Sequence, residues 1–346
     1  MPNLDELTGT AMIISEPSQA VVTTLPQHVV VTALEQTVIP VMIADAGERA
    51  SRRYLEFFGV TIRNRNTRTA YLHAASRFFA WCEHNRLGKL EDIEPLHVAA
   101  YIEVLGNNFE KPTVKLHLAA IRVLFDWLVT GQIVATNPAH SVRGPKHVVT
   151  VGKTTVLDAE QARKLLDSID TSTLIGLRDK ALISVMTFAF ARVSAVINMR
   201  VEDYLPKGKR WWVRLDEKGG KQHEMPAHHN LEAALDAYID TAQIRADRKG
   251  PLFRSAIIGR ARTLTDKQMN RGDAWRMVQR RAKALGFEVN IGCHTFRATG
   301  ITAYLEAGGR LENAQKMAAH ESPRTTKLYD RTDDQITLAE VERIKI

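Results

Sequence analysis

The sequence has little of what marks disulfide-rich, secreted or membrane proteins. Its 346 residues include two cysteines, Cys82 and Cys293, which are far apart and lack CxxC spacing. A disulfide framework or a zinc site is therefore not predicted, and we expect buried thiols in a reducing compartment. No apolar run approaches the roughly 18–20 residues of a membrane span, and the N-terminal residues lack the basic region of a signal peptide. We expect a cytoplasmic protein with no membrane partner.

Motifs that bind nucleotides or metal ions are also missing. No Gly-rich phosphate loop and no cluster of carboxylates accompanies the candidate catalytic residues described below, so a mechanism that uses a nucleotide and magnesium is not indicated. His223, His228 and His229 are close in sequence, but their spacing matches no common metal site. We therefore expect neither a metal ion nor another cofactor.

What the sequence does have is positive charge and enough apolar residues for two cores. Lys and Arg number 47 against 39 Asp and Glu, a net charge of +8, and 45% of the residues are hydrophobic. The length favours two domains. The basic balance favours a polyanionic partner, of which nucleic acid is the commonest, and a generic basic protein is the alternative.

The side chains that suggest chemistry lie between His294 and Tyr329. His294 and Arg297 are three residues apart, so on a helix they share a face. His320 follows, and Tyr329 comes nine residues after it. Arginine binds non-bridging oxygens bidentately, histidine transfers protons near neutral pH, and tyrosine can be a covalent nucleophile. Together these groups suit phosphoryl transfer.

The first half of the chain is predicted to be helical. Residues 46–135 have the apolar spacing of four helices with short loops, which indicates a small bundle. The fourth helix is expected to bury Leu116, Ile121 and Leu124. Residues 1–45 fit short strands or a partner-dependent arm, and we assign them no role. Some cations of the bundle could touch phosphates, with solvated surface charge as the alternative. These candidate DNA-binding residues are Arg68, Lys111, Lys115 and Arg122.

A linker at 136–156 is predicted from its two prolines, two glycines and lack of periodicity, and a second domain follows at 157–346. A long apolar helix is expected to break near Ala191. Arg192 at that break stands amid apolar residues, so it must be paired or bind a ligand.

The rest of the second domain combines a hairpin with further helices. The run RWWVRLDEKGGKQHEMPA predicts two strands whose turn carries Lys218 and Lys221. A later helix carries Arg276 and Arg280, which could contact the backbone or major groove of a duplex or form a solvated basic face. The end of the chain, ITLAEVERIKI, predicts a short amphipathic helix that folds back or docks on a neighbour.

The second domain resembles the tyrosine recombinases, the phage-integrase family of site-specific DNA recombinases. Members carry an arginine after a long helix, a hairpin lysine, an H-x-x-R box, a later histidine and a tyrosine soon after. The same order and spacing occur here in ARVSA, EKGGK, HTFR, AAHES and TTKLY. The matching positions are Arg192, Lys218, His294, Arg297, His320 and Tyr329. Lys221 is the alternative lysine.

This resemblance, over about residues 46–335, implies a fold that is mainly α with a small antiparallel β-sheet. An N-terminal SAM-like four-helix core-binding domain would precede a mixed α+β catalytic domain.

Two positions depart from the family pattern. The family usually carries an acidic residue after the R-x-S of the first arginine box, where this chain has Ala195, so the usual support of Arg192 is missing there. The glycine that usually precedes the second histidine is replaced by Ala319. Neither change removes a catalytic group.

The resemblance also implies a reaction. Tyr329 would attack the scissile phosphate, giving a 3′-phosphotyrosyl link and a free 5′-hydroxyl. Arg192 and Arg297 would hold the non-bridging oxygens, and Lys218 would protonate the leaving oxygen. The first histidine of the set would assist proton transfer at the tyrosine, and the second would hydrogen-bond a phosphoryl oxygen.

The implied partner is double-stranded DNA with an inverted-repeat core site. Four copies of the chain would act on two synapsed duplexes through a Holliday junction, with a need for companion recombinases left open, in a nucleoid-associated setting. Integration, excision, transposition of a mobile element and resolution all fit. Alternatives are a type IB topoisomerase-like or telomere-resolving enzyme, a catalytically weak DNA-binding accessory protein, which Ala195 favours, and a basic helical protein that binds RNA.

Overall fold

A computed structural model describes residues 38–149, 152–217, 220–257, 263–287 and 290–330. The chain divides into two compact units, Met1–Val148 and Val149–Ile346. Most of the predicted N-terminal segment, the predicted tail helix and Lys218 lie outside the described residues. In the described part, no helix is long and apolar enough to cross a membrane.

The first unit is helical. Its elements are α1 (Val41–Asp45), α2 (Glu48–Glu56, continued by a π-helical turn at Phe57–Thr61), α3 (Arg65–His84), α4 (Pro95–Asn108) and α5 (Lys111–Thr130). The local sequence explains where several of these helices begin. The Asn64 side chain accepts hydrogen bonds from the backbone N–H groups of Asn66 and Thr67 at the start of α3. Prolines in the first turns of α4 and α5 occupy positions where no N–H is needed.

Aromatic side chains dominate the core of this unit. Phe78 packs edge-on against Tyr101 and Phe125, with ring centroids 5.2 and 6.2 Å away. The Tyr101 hydroxyl lies 2.9 Å from Nδ1 of the buried His117 on α5, so both polar groups are satisfied. The expectation for Leu116 was wrong, because its side chain is 39% exposed. The buried stripe of α5 instead follows Val114, His117, Leu118, Ile121, Leu124, Phe125 and Leu128.

The first residues of the predicted linker pack on this unit. Arg122 donates from Nε to the carbonyl of Ala139 (3.1 Å) and from Nη2 to the carbonyl of Val142 (2.6 Å). Asn137 donates to the carbonyl of Arg122. Ala139 and Val142 are buried in the same core. The chain is therefore anchored to α5 as far as residue 142.

The second unit combines helices with two small sheets. Its helices are α6 (Ala159–Asp167), α7 (Leu174–Phe188), α8 (Val193–Ile197), α9 (His229–Ala242), α10 (Arg271–Ala284), α11 (Cys293–Glu306), α12 (Leu311–Met317) and α13 (Pro323–Lys327). Strands β1 (Tyr204–Lys207), β2 (Arg210–Glu217) and β3 (Lys221–Pro226) form an antiparallel sheet in that order. Strands β4 (Arg254–Ala256) and β5 (Leu264–Gln268) form an antiparallel pair. This confirms the predicted fold class and the hairpin.

Close packing of α7 against α11 fixes the centre of the unit. A Cβ on Gly300 would collide with the carbonyl oxygen of Thr187 and touch the Phe190 ring at 3.0 Å. Only glycine lets the two backbones approach this closely. Residues on both helices are buried around most of their circumference. The ends of α7 and α11 therefore have little freedom, and three of the predicted catalytic residues, Arg192, His294 and Arg297, lie near those ends.

Candidate active site

Five of the six predicted catalytic residues are described, and each comes from the end of an element. Arg192 is the residue before α8, in the break after α7 that the sequence predicted. His294 and Arg297 lie in the first turns of α11. His320 and Tyr329 follow α12 and α13.

Tyr329 is held against His294. The Nε2 atom of His294 lies 2.8 Å from the Tyr329 hydroxyl. The Thr302 hydroxyl donates to the Tyr329 carbonyl at 2.9 Å and fixes its backbone. Burial raises the pKa of Tyr329, while the charges of Arg297 and Arg192 oppose that rise. Desolvation lowers the pKa of His294, and the same two arginines lower it further, so its ring is neutral at pH 7 and can accept the phenolic proton.

His320 also contacts the tyrosine. Its ring stacks on that of Tyr329, with centroids 5.8 Å apart and planes 10° apart. Its Nδ1 lies 2.9 Å from the buried Thr326 hydroxyl. Burial, then Arg297 and Arg192, lower the pKa of His320 to about 3, so the ring is neutral. If the threonine hydroxyl donates to Nδ1, Nε2 carries the hydrogen and can donate to an oxygen.

Arg297 is fully buried and fixed by backbone carbonyls. Its Nη1 donates to the carbonyl of Phe190, and its Nη2 donates to the carbonyl of Ala318 at 2.6 Å. Burial and the charge of Arg192 lower the pKa of Arg297 to about 10, which leaves it charged at neutral pH. Phe190 (φ 50°) and Ala319 (φ 46°) have left-handed backbone next to these carbonyls. Strained backbone of this kind is characteristic of functional sites.

Arg192 is paired with Glu217, a residue that the sequence argument missed. The Nη1 atom of Arg192 donates to Oε2 of Glu217, the last residue of β2. The Arg192 side chain is 30% exposed, whereas that of Glu217 is 1% exposed. Ala195 is buried within the apolar core. The one available signal was the missing acid at Ala195, which left Arg192 in need of a carboxylate from elsewhere.

A recess of about 710 Å³ opens beside these residues. Arg192 and His294 line one part of it, and Arg271 and Trp275 of α10 line another. Trp275 is 53% exposed, which is unusual for so large an apolar side chain. A cation and an exposed aromatic ring beside the catalytic residues suit a nucleic-acid strand. Neither residue was among the predicted contacts.

The two candidate lysines of the hairpin differ in whether the structure describes them. Lys218 lies outside the described residues. Lys221, the alternative, is the first residue of β3 and is exposed, with Nζ 3.3 Å from Oε1 of Glu321. That exposed contact leaves its side chain free to rearrange.

The predicted DNA-binding residues fall into two groups. Lys111 and Lys115 are exposed one turn apart on α5. Arg276 is also exposed, and it pairs with Asp273 on the same helix. Arg280 lies 3.6 Å from the buried Asp179 but remains 56% exposed. All four residues are exposed.

Arg68 and Arg122 have structural contacts. Arg68 donates from Nε and Nη2 to the carbonyl of Ile62, at 3.1 and 2.9 Å. Arg122 holds the chain after α5, as described above. Each guanidinium therefore has donors committed to the backbone. Their roles on DNA stay predictions, as do those of the exposed group.

Comparisons with known proteins agree with this geometry. Residues 155–335 match the phage integrase family, and residues 51–133 match the SAM-like N-terminal domain of phage integrases. The tyrosine recombinase XerD of Chlorobaculum tepidum is 29% identical over 274 residues, 78% of this chain and 86% of that protein. The tyrosine recombinase XerC of Escherichia coli is 28% identical over 224 residues, 64% of this chain and 70% of that protein.

Solved structures show the same fold. The XerH site-specific recombinase bound to palindromic difH DNA, a post-cleavage complex, superposes with a TM-score of 0.67 at 17% identity, over 88% of this chain and 86% of that one. A lambda integrase dimer bound to a COC′ core site gives a TM-score of 0.63 at 18% identity, over 83% and 79%. The family match spans more than half of the sequence and contains every catalytic position predicted above. The chain therefore belongs to the phage integrase family, the tyrosine recombinases.

Proposed function

We propose that this chain is a site-specific DNA recombinase that cuts and rejoins DNA strands through a covalent bond to Tyr329. The observation that carries the proposal is the 2.8 Å contact between the Tyr329 hydroxyl and His294, beside two arginines. A nucleophile, a neutral proton acceptor and paired cations are what phosphodiester cleavage without a nucleotide cofactor requires.

Cleavage begins when the Tyr329 oxygen attacks the scissile phosphorus. His294 takes the phenolic proton, the new O–P bond joins the enzyme to the 3′ side, and the bond to the 5′-oxygen breaks. Lys218 gives that oxygen its proton. Arg192 and Arg297 hold the non-bridging oxygens, and preorganised donors of this kind each contribute about 3–4 kcal/mol.

Rejoining runs the same steps in reverse with a different strand. The 5′-hydroxyl of a partner duplex gives its proton to Lys218 and attacks the phosphotyrosyl phosphorus, and Tyr329 leaves with a proton from His294. The phosphodiester energy is kept in the covalent link, so no ATP is consumed. His320 donates a hydrogen bond from Nε2 to a phosphoryl oxygen in both directions, while its Nδ1 accepts from the Thr326 hydroxyl.

The partner in this proposal is a duplex with inverted-repeat arms. Exposed Lys111 and Lys115 contact backbone phosphates from the helical unit, and Arg276 and Arg280 do so from α10. Four copies act on two duplexes, which is supported by the lambda integrase tetramer bound to a Holliday junction, a protein of the same fold. The domain limits of 46–135, 136–156 and 157–346 stay part of the proposal.

The accessory-protein alternative loses its support. It depended on Ala195 at the usual acidic position, and Glu217 at the end of β2 supplies a carboxylate to Arg192. The other predicted catalytic residues that the structure describes also keep the side chains that the reaction requires.

The test is covalent trapping on nicked suicide duplexes. Random-sequence duplexes are enriched on the purified protein, together with tiles of the DNA that flanks its gene, and then nicked beside the candidate cleavage point. Wild-type protein in EDTA is expected to give an SDS-resistant protein–DNA adduct. Tyr329→Phe should bind the same duplex and give none, whereas Tyr304→Phe, a matched tyrosine on α11, should give the wild-type amount. An adduct with Tyr329→Phe, or none with wild type on bound DNA, would contradict the proposal.

A further inference from the structure

We propose that Glu217 is a positioning residue that holds both catalytic arginines in place for phosphoryl transfer, from a strand end rather than from the arginine box itself. The inference rests on the proposed function and deepens it by adding a residue to the same site.

The contacts of the Glu217 carboxylate are the first observation that supports the inference. Oε2 of Glu217 accepts a hydrogen bond from Nη1 of Arg192, and Oε1 lies 3.8 Å from Nη1 of Arg297. A single acid therefore bridges two guanidinium groups that come from α8 and α11. Among the described atoms, Oε1 has no hydrogen-bond partner. It is held in place by charge and by the bond that the other oxygen makes.

The burial of Glu217 is the second observation that supports the inference. A carboxylate that is 1% exposed loses nearly all its hydration, and that loss is offset only where cations are close and well oriented. The strand fixes this oxygen pair, since Val213 and Leu215 of β2 are fully buried on the same face. The sheet therefore fixes the position of Glu217, whose side chain would otherwise be flexible. Because the Glu217 carboxylate is fixed, it accepts the hydrogen bond from Arg192 in one defined position.

The charges give the reason for a bridging acid. Arg192 and Arg297 would repel each other when no substrate is bound, because both lie partly or wholly out of water. Glu217 offsets one of the two charges and leaves a net positive site for a phosphate. It uses one donor of Arg192, so the remaining donors of that guanidinium are available to the non-bridging oxygens.

The sequence around Arg192 shows why the acid comes from β2. In the first arginine box the usual acidic position is Ala195, which is 2% exposed and packed in the apolar core. A carboxylate at Glu217 reaches the same guanidinium from across the site. Glu217 also directly precedes Lys218, the predicted general acid, in the chain.

The experiment compares Glu217→Gln with Asp216→Asn in the full-length protein. Both changes replace an acid by its amide on adjacent residues, but Asp216 is exposed on the opposite face of β2. We expect single-turnover cleavage by Glu217→Gln to be slower by about 10- to 100-fold, the loss typical of a hydrogen bond to a charged group. Its DNA affinity should stay near wild type, whereas its melting temperature should fall, because the two arginines lose the buried charge that offsets their repulsion. Asp216→Asn should cleave at the wild-type rate.

A second substrate separates positioning from a general structural effect. A methylphosphonate at the scissile position replaces a charged non-bridging oxygen by a methyl group, so less cationic stabilisation is needed. If Glu217 acts through the arginines, the difference between Glu217→Gln and wild type should shrink at least fivefold on this substrate. An equal deficit on both substrates, or a wild-type rate for Glu217→Gln on the natural phosphate, would overturn the inference. Absence of a wild-type adduct would instead count against the proposed function.

Discussion

The contact between His294 and Tyr329 predicts how the cleavage rate depends on pH when the imidazole is removed. A phenol with a reference pKa of about 10 is ionised in roughly one molecule in a thousand at pH 7, a cost of about 4 kcal/mol. Burial raises the pKa of Tyr329 above that reference, so ionisation before attack is costlier still. Proton transfer to Nε2 of His294 during attack avoids this cost.

The substitution is His294→Ala, with His229→Ala, an exposed histidine at the start of α9, as its control. Removing a positioned general base costs about 10²- to 10⁴-fold, so cleavage at pH 7 should fall by that factor. The loss should be smaller at higher pH, because hydroxide then removes the proton. In the variant the rate should rise about tenfold per pH unit from pH 7 to 9.

Wild-type protein should behave differently over the same interval. Since the pKa of His294 is lowered, its ring is already neutral at pH 7, and the rate should be nearly level up to pH 9. It should fall only in acid, below the ordinary histidine pKa, where the ring takes up a proton. Single-turnover cleavage of the suicide duplex, quenched with SDS at timed intervals, measures both profiles. Parallel profiles for His294→Ala and wild type would refute the assignment of His294 as proton acceptor.

Three further predictions concern stability. Ala319→Gly should raise the melting temperature by a few degrees, because φ of 46° costs a non-glycine residue about 1 kcal/mol or more, and Ala318→Gly should not. Gly300→Ala should destabilise the fold by about 1–3 kcal/mol through collision with Thr187, whereas Gly292→Ala, with open space around its Cβ, should cost little in a thermal melt. His320, whose folded pKa is about 3, contributes stability that is complete above the unfolded pKa of about 6.5 and is lost as pH falls toward 3. Urea midpoints should therefore fall less steeply between pH 7 and 5 in His320→Gln, and an equal slope would contradict the assignment.

Much of the fold could be predicted because helix periodicity is a local property. The four main helices of the first unit, the break near Arg192 and the β2–β3 hairpin all have their cause within a few residues of themselves. Leu116 shows the limit. Its neighbours Val114, Leu118 and Ile121 are buried, and the choice of which side of α5 faces the core depends on α3 and α4, which the periodicity of α5 alone does not contain.

The candidate catalytic residues were easier to identify in the sequence than the residues that contact them. Tyr329 and His294 are separated by 35 residues yet fall in one ordered set of motifs, so the order itself indicated a site. Glu217 carries no motif of its own. Its role depends on the end of β2 lying opposite α8, a tertiary relation between residues 25 apart. Arg122 is the converse case, since its exposed position on a helix was predicted but the carbonyl groups that bind it come from the chain after α5.

The two strained positions explain why Arg297 can be buried without a full ionic partner. Its guanidinium donates hydrogen bonds to the carbonyl oxygens of Phe190 and Ala318, and left-handed backbone at Phe190 and Ala319 turns the chain where those carbonyls are needed. Each such position costs about 1–3 kcal/mol, which a buried charge recovers through its hydrogen bonds. Carbonyls neutralise none of the charge, and among the described residues the acidic side chain that pairs with Arg297 is Glu217, at 3.8 Å. We expect a site of this kind to stabilise a developing anion, because carbonyl dipoles hold its cation in place and leave most of its charge available.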